Sequence, residues 1–199
     1  MFACQRVCQT ILNRLQENRE SARSDESGWN KAPLAELKRH IRERHHGYVR
    51  DVIPRLRGML AKVREKHGSC HREVGEIEKL FGDVAREMLM HMQKEEQILF
   101  PYIDALERSA RGQGDVEPPF FQTVRNPIYS MMQEHDAAGE LVRKIRAASN
   151  GYQPAENSCT TFKAMYQELQ QFEEDLHLHV HLENNILFPR AVELESAIV

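Results

Sequence analysis

An all-α, antiparallel up-down four-helix bundle with a short N-terminal helical extension is the fold class that the sequence predicts, and three observations carry it. Strand-like alternation is scarce, whereas Glu, Lys, Arg, Leu, Met and Ala fill stretches whose apolar residues recur at helical spacing. Four of those stretches are long and are joined by three connections, which makes antiparallel packing the default. In addition, "HMQKEEQILFP", beginning at His91, returns 88 residues later as "HVHLENNILFP", beginning at His179. The second and fourth helices are therefore written alike.

Taken in order, "MFACQRVCQTILNRLQENRESA" reads as a short leading helix ended by "SDESGWN". The first long helix runs from about Pro33, a favoured first-turn proline, to His67–Gly68. Its apolar stripe is Leu34, Leu37, Ile41, Val49, Ile53, Leu56, Leu60 and Val63. A second spans about Arg72 to Ser109, and Pro101 is expected to kink or end it. "RGQGDVEPPFFQTVRNP" is a long connection, a third helix covers about Pro127 to Ser149, and "NGYQPAENS" is a turn. The fourth helix starts near Ser158 and carries through the second Ile-Leu-Phe-Pro. The expected layout is an extension over residues 1–30, the bundle over 31–192 and a tail over 193–199.

Composition narrows the function classes. Hydrophobic residues are 41% and charged residues 29%, so the chain is neither disordered nor membrane-spanning in character. No apolar run approaches the roughly 20 residues of a spanning helix, and the first residues are too interrupted for a secretory signal. A net charge of −3 offers no broad basic field for nucleic acid. Cys4 and Cys8 lie one helical turn apart while Cys70 and Cys159 are isolated. That is neither a paired zinc arrangement nor a disulfide framework. The expectation is a reduced, cytoplasmic protein, monomeric or a homodimer, with no nucleic acid and no membrane as partner.

The repeat places candidate site residues. His91 and His179, Glu95 and Glu183, and the two Ile-Leu-Phe-Pro runs share the offset of 88. Helix three has one histidine, His135, whose counterpart in helix one is His45 or His46. Choosing His46, at an offset of 89, superposes Val49 on Ala138, Ile53 on Val142 and Leu56 on Ile145. Choosing His45 sets Val49, Ile53 and Leu56 against Gly139, Arg143 and Arg146, so His46 is the match. The four histidines then stand 45, 44 and 44 residues apart, which brings them to one depth in an up-down bundle. His45→Ala is accordingly expected to be nearly silent and His46→Ala is not.

Histidine at i and glutamate at i+4 share a helix face, about 6 Å apart at Cβ. Two such pairs and two further histidines give four nitrogens and two carboxylates. Buried carboxylates are costly without a cation, and this stripe holds no lysine or arginine. One metal would be over-supplied; two metals, each with two histidines and sharing both glutamates, use the set fully. Imidazole and carboxylate without thiolate suit iron or manganese better than structural zinc. With one bridging oxygen each metal counts five ligands, which leaves a position for a small diatomic molecule. Around this set, Glu87 and Asp175, four residues before His91 and His179, are candidates to hold the ligand imidazoles, as well as being what a solvated acidic face offers. Glu96, Asn184 and Asn185 are expected on a solvated face. His177 and His181 are expected to point away, and "MLMHM" and "YSMM" to serve packing.

"HMQKEEQILFP", "QEHDAAGEL", "CTTFKAMY" and "HVHLENNILFPR" closely resemble the haemerythrin-like di-iron proteins of the repair-of-iron-centres family, from about Trp29 to Arg190. The resemblance implies His46, His91, Glu95, His135, His179 and Glu183 as ligands of two iron ions, with the glutamates bridging. It implies restoration of iron–sulfur clusters damaged by nitric oxide or oxidants, through iron donation or nitric oxide handling at the di-iron centre. Damaged iron–sulfur proteins would be the partners, nitric oxide or oxygen the small ligand, and redox chemistry on either a further expectation. Many members carry a leading domain with adjacent cysteines, where this chain has Cys4 and Cys8. The alternative is an oxygen-binding or oxygen-sensing haemerythrin. Those place a fifth histidine one turn after the third-helix ligand and an aspartate five after the fourth-helix histidine; this chain has Gly139 and Asn184 there.

Overall fold

The computed structural model describes residues 28–156 and 158–198. The leading helix expected over the first residues, with Cys4 and Cys8, lies outside the described residues. Four helical rods form an up-down-up-down bundle, and no strand occurs among the described residues. The first rod joins α1 (Leu34–His40), a π turn (Ile41–His46) and α2 (Gly47–His67). The second joins α3 (Glu73–Lys94), a π turn (Glu95–Leu99) and α4 (Phe100–Ala110). The third is α5 (Arg125–Ala148), unbroken. The fourth joins α6 (Thr160–Leu182), a π turn (Glu183–Leu187) and α7 (Phe188–Ile198). No helix among the described residues is long and apolar enough to cross a membrane.

Two differences from the sequence expectation have physical reasons. Pro101 neither kinks nor ends the second rod in the expected way: it follows the π turn directly, at the start of α4. A π turn has already interrupted the i→i−4 ladder, so a residue with no N–H costs least there. Pro189 stands in the same relation to the last π turn. The widened turn also explains three consecutive apolar residues. Ile186, Leu187 and Phe188 are all buried, which the 100° step of a regular helix does not allow on one face. Residues 193–198, expected as part of a tail, continue α7 to Ile198, with Glu195 buried.

The core falls into two apolar clusters. One fills the end carrying the short connections, built from Val52, Leu56, Leu60, Ile77, Phe81, Phe162, Leu169 and Phe172 among others. The other fills the opposite end, from Leu37, Ile41, Leu99, Ile103, Val124, Leu187 and Phe188 among others. The long connection is clamped there by Glu195, which accepts bonds from the Tyr102 hydroxyl (2.8 Å), the Thr123 hydroxyl and the Val124 N–H (2.8 Å). Arg190 donates to the Trp29 and Ala32 carbonyls and ties the start of the described chain to the last rod. Removing the Glu195 carboxylate strands two buried donors, so Glu195→Ala is expected to cost about 2–4 kcal/mol. Urea unfolding checks this, with helix content unchanged in the folded variant.

Candidate metal centre

Between the two clusters lies a polar layer. His46, His91, His135 and His179, one from each rod, and Glu95 and Glu183 are all buried, the two glutamates to 0% exposure. The six residues that the spacing singled out are thus brought together at one depth. They divide into two sets, His46 and His179 with both glutamates and His91 and His135 with both glutamates, the ligand-type atoms of each set lying within 4.8 Å of one another.

The atoms converge in a particular way. His91 Nε2 and His135 Nε2 face each other at 2.9 Å, and His46 Nε2 and His179 Nε2 at 3.3 Å. Glu95 turns Oε2 to His46 and Oε1 to His91, each at 3.3 Å. Glu183 turns Oε1 to His179 at 2.9 Å and Oε2 to His135 at 3.1 Å. Each carboxylate therefore spans both histidine pairs. Both oxygens of Glu95 and Oε2 of Glu183 are buried without a hydrogen-bond partner. Opposed imidazole nitrogens with orphaned carboxylate oxygens beside them are a donor set that a cation satisfies and that their own protons satisfy poorly. The residues present fit metal, and the absence of thiolate fits iron.

Three of the imidazoles are held from behind, two of them by residues expected on a solvated face. His46 Nδ1 bonds Glu96 at 2.7 Å, and its ring stacks on Phe100. His135 Nδ1 bonds Asn184 at 2.9 Å, and its ring stacks on Phe188. These replace the expected solvated face for Glu96 and Asn184, and the signal was present, since 96 and 184 share the offset of 88. His91 Nδ1 bonds Glu134 at 3.0 Å, not Glu87, and Lys94 pairs with the same carboxylate. Asp175 bonds His45 Nδ1 at 3.0 Å, not His179, and the His45 ring lies parallel to the His179 ring at 5.7 Å. Asn185 stays exposed and bonds His181.

Burial and the facing carboxylates act in opposite directions on the imidazoles of the layer. Burial works against charge on His91, yet the carboxylates of Glu95, Glu134 and Glu183 outweigh it and push the group up to about 12. Burial likewise opposes charge on His46, and Glu95, Glu183 and Glu96 raise it regardless. Glu183 is pulled up by burial and held well below the usual range by His179, His135 and His91. Glu134 is lowered to about 2, first by its bond from His91.

Residues 37–191 match the Hemerythrin HHE cation binding domain family. The iron-sulfur cluster repair protein YtfE of Escherichia coli O81 (strain ED1a) is 39% identical over 167 residues, covering 84% of this chain and 70% of the relative. The protein of the same name from Escherichia fergusonii is 38% identical over the same shares. The chain belongs to the hemerythrin HHE cation-binding family. Within it, the chain groups with the repair-of-iron-centres proteins, the family that the motifs resembled.

His45 is not the silent position expected from sequence: His45→Ala leaves a buried carboxylate unpaired and is expected to cost about 1–3 kcal/mol, read by urea unfolding. The raised His91 contributes stability that is complete below its unfolded value of 6.5 and is lost as pH rises toward about 12. The lowered Glu134 contributes stability that is complete above 4.5 and is lost as pH falls toward about 2. Chelator-treated protein is therefore expected to have its highest urea midpoint between pH 4.5 and 6.5. Metal uptake must displace imidazole protons, so it should release acid in weakly buffered solution and strengthen as pH rises.

Proposed function

We propose that this chain is a cytoplasmic non-haem di-iron protein that repairs iron–sulfur clusters damaged by nitric oxide or oxidative stress. Its ligands are His46 and His179 for one iron, His91 and His135 for the other, and Glu95 and Glu183 across both. The observation that carries this reading is the turn of each glutamate, one oxygen toward each histidine pair. The names of the relatives, iron-sulfur cluster repair protein, support the target class. When bound, two irons with an oxygen bridge supply redox chemistry and a coordination position for nitric oxide or oxygen.

The chain's own residues support donation over oxygen carriage. Imidazole and carboxylate hold iron(II) less firmly than thiolates do, so iron as cargo can pass to a sulfur-rich acceptor such as a damaged cluster. Asn184, at the position of a haemerythrin ligand, is engaged with His135. Gly139, where a fifth histidine would stand, has open space beside its Cα. Two carboxylates shared by the pair favour the ferric state, so oxygen should oxidise the site and not leave unchanged.

Anaerobic reconstitution is expected to yield about two irons per chain, and Glu95→Leu or Glu183→Leu to lose most of them. Full iron in both variants would overturn the ligand assignment. The diferrous protein should bind nitric oxide and be oxidised irreversibly by oxygen. An oxygen-dependent spectrum that vanishes on degassing and returns through several cycles would overturn the repair reading in favour of an oxygen carrier.

A further inference from the structure

The two halves of the layer are related by the sequence repeat, and the relation fails at one point. In each half the residue after the glutamate, Glu96 or Asn184, accepts the Nδ1 proton of the histidine on the preceding rod, His46 or His135. In each half the phenylalanine of Ile-Leu-Phe-Pro, Phe100 or Phe188, stacks on that same imidazole. These parts match in role and in register, one acceptor being a carboxylate and the other an amide. The remaining two imidazoles, His91 and His179, should then be held alike, each by the residue preceding the histidine of the other half. For His91 that residue is Glu134, and the bond is made. For His179 the equivalent residue, at the offset of 89 that relates His46 to His135, is His45.

His45 does not take that role. Its Nδ1 is committed to Asp175, and it meets His179 ring on ring. His179 Nδ1 is buried with no hydrogen-bond partner among the described residues. Three of the four imidazoles are thus locked in orientation by an acceptor behind them, whereas behind the fourth lies only the parallel His45 ring. Both histidines of the His91/His135 pair have acceptors, a carboxylate and an amide; the His46/His179 pair has one acceptor in total, the Glu96 carboxylate.

We propose that the two iron positions are inequivalent, with His91 and His135 forming the retained position, His46 and His179 the releasable one, and His45 the positioning residue that sets the difference. This rests on the two-iron reading above and deepens it by naming which iron is the cargo. Loss of one acceptor behind a ligating histidine typically weakens metal affinity about 10–100-fold. That is enough to let one iron leave while the other remains and keeps the layer neutralised.

The test is release of iron(II) from the fully loaded protein to an excess of a colorimetric chelator under anaerobic conditions. Proton NMR of half-loaded protein, through the hyperfine-shifted exchangeable imidazole N–H signals, identifies the occupied position. Wild-type protein is expected to lose its irons in two phases of one each, at least about tenfold apart in rate. Asn184→Ala should quicken the slow phase and remove a signal of the half-loaded form, whereas Glu96→Gln should quicken the fast phase and leave those signals in place. His45→Gln can donate its amide to Asp175 and offer its oxygen to His179 Nδ1, so it should slow the fast phase toward the slow one. Two irons leaving the wild type in a single phase would overturn the inequivalence and leave the two-iron reading intact. So would two phases with the half-loaded signals lost in Glu96→Gln and kept in Asn184→Ala. Binding of fewer than two irons would overturn both.

Discussion

Two fully buried carboxylates, Glu95 and Glu183, set the terms for the rest of this bundle. An ionised carboxylate in an apolar interior is tolerated only with compensating charge, and among the described residues the ion pairs of both glutamates are with histidine alone, none with lysine or arginine. Lys38, the one buried lysine among the described residues, spends its charge on Asp104 and Glu107 at another level. Compensation must come from imidazoles and from what they coordinate. That requirement brings a histidine from every rod to the same layer, and it obliges the rods to reach that layer with matched lengths.

The repeated motif reads as equipment for meeting the requirement twice. Its histidine and glutamate face inward one turn apart, the residue after the glutamate holds an imidazole on the neighbouring rod, and its phenylalanine covers that imidazole's face. Three consecutive inward-facing apolar residues need a wide turn, and the proline that closes the motif occupies the break in the hydrogen-bond ladder that this turn leaves. Each residue type has one physical task. Of the two rods without the motif, the first has its own π turn at Ile41–His46 and the third remains a regular helix.

Apolar packing on both sides keeps the layer rigid. Phe81 meets Phe172 edge-on toward the short connections, and Arg146 fixes Glu173 beside them. At the opposite end the Glu195 clamp and the Arg190 contacts close the bundle around Leu99, Ile103 and Phe188. A centre in which two carboxylates are each shared between opposed imidazoles depends on such fixed rods, because small shifts would separate atoms that now lie about 3 Å apart.

The four rods, their approximate ends and the six inward-facing polar residues were legible in the chain before any fold was known. Those properties are encoded by periodicity and by a fixed offset, and both survive without knowledge of distance. His46 could be chosen over His45 on the same ground, since only one register sets apolar residues against apolar residues. What stands behind each imidazole was decided only by tertiary structure. Glu134, Glu96 and Asn184 look like surface residues along their own helices, and they become partners only when a neighbouring rod presents an Nδ1 proton to them. Asp175 shares a face with His179 in sequence, yet its carboxylate is taken by His45 from another rod. The π turns were hidden for a related reason: an extra residue in one turn costs a local hydrogen bond, and only the packed layer makes that cost worthwhile. Helical phase is a property of one strand of chain, whereas the hold on a ligand is a property of two rods in contact.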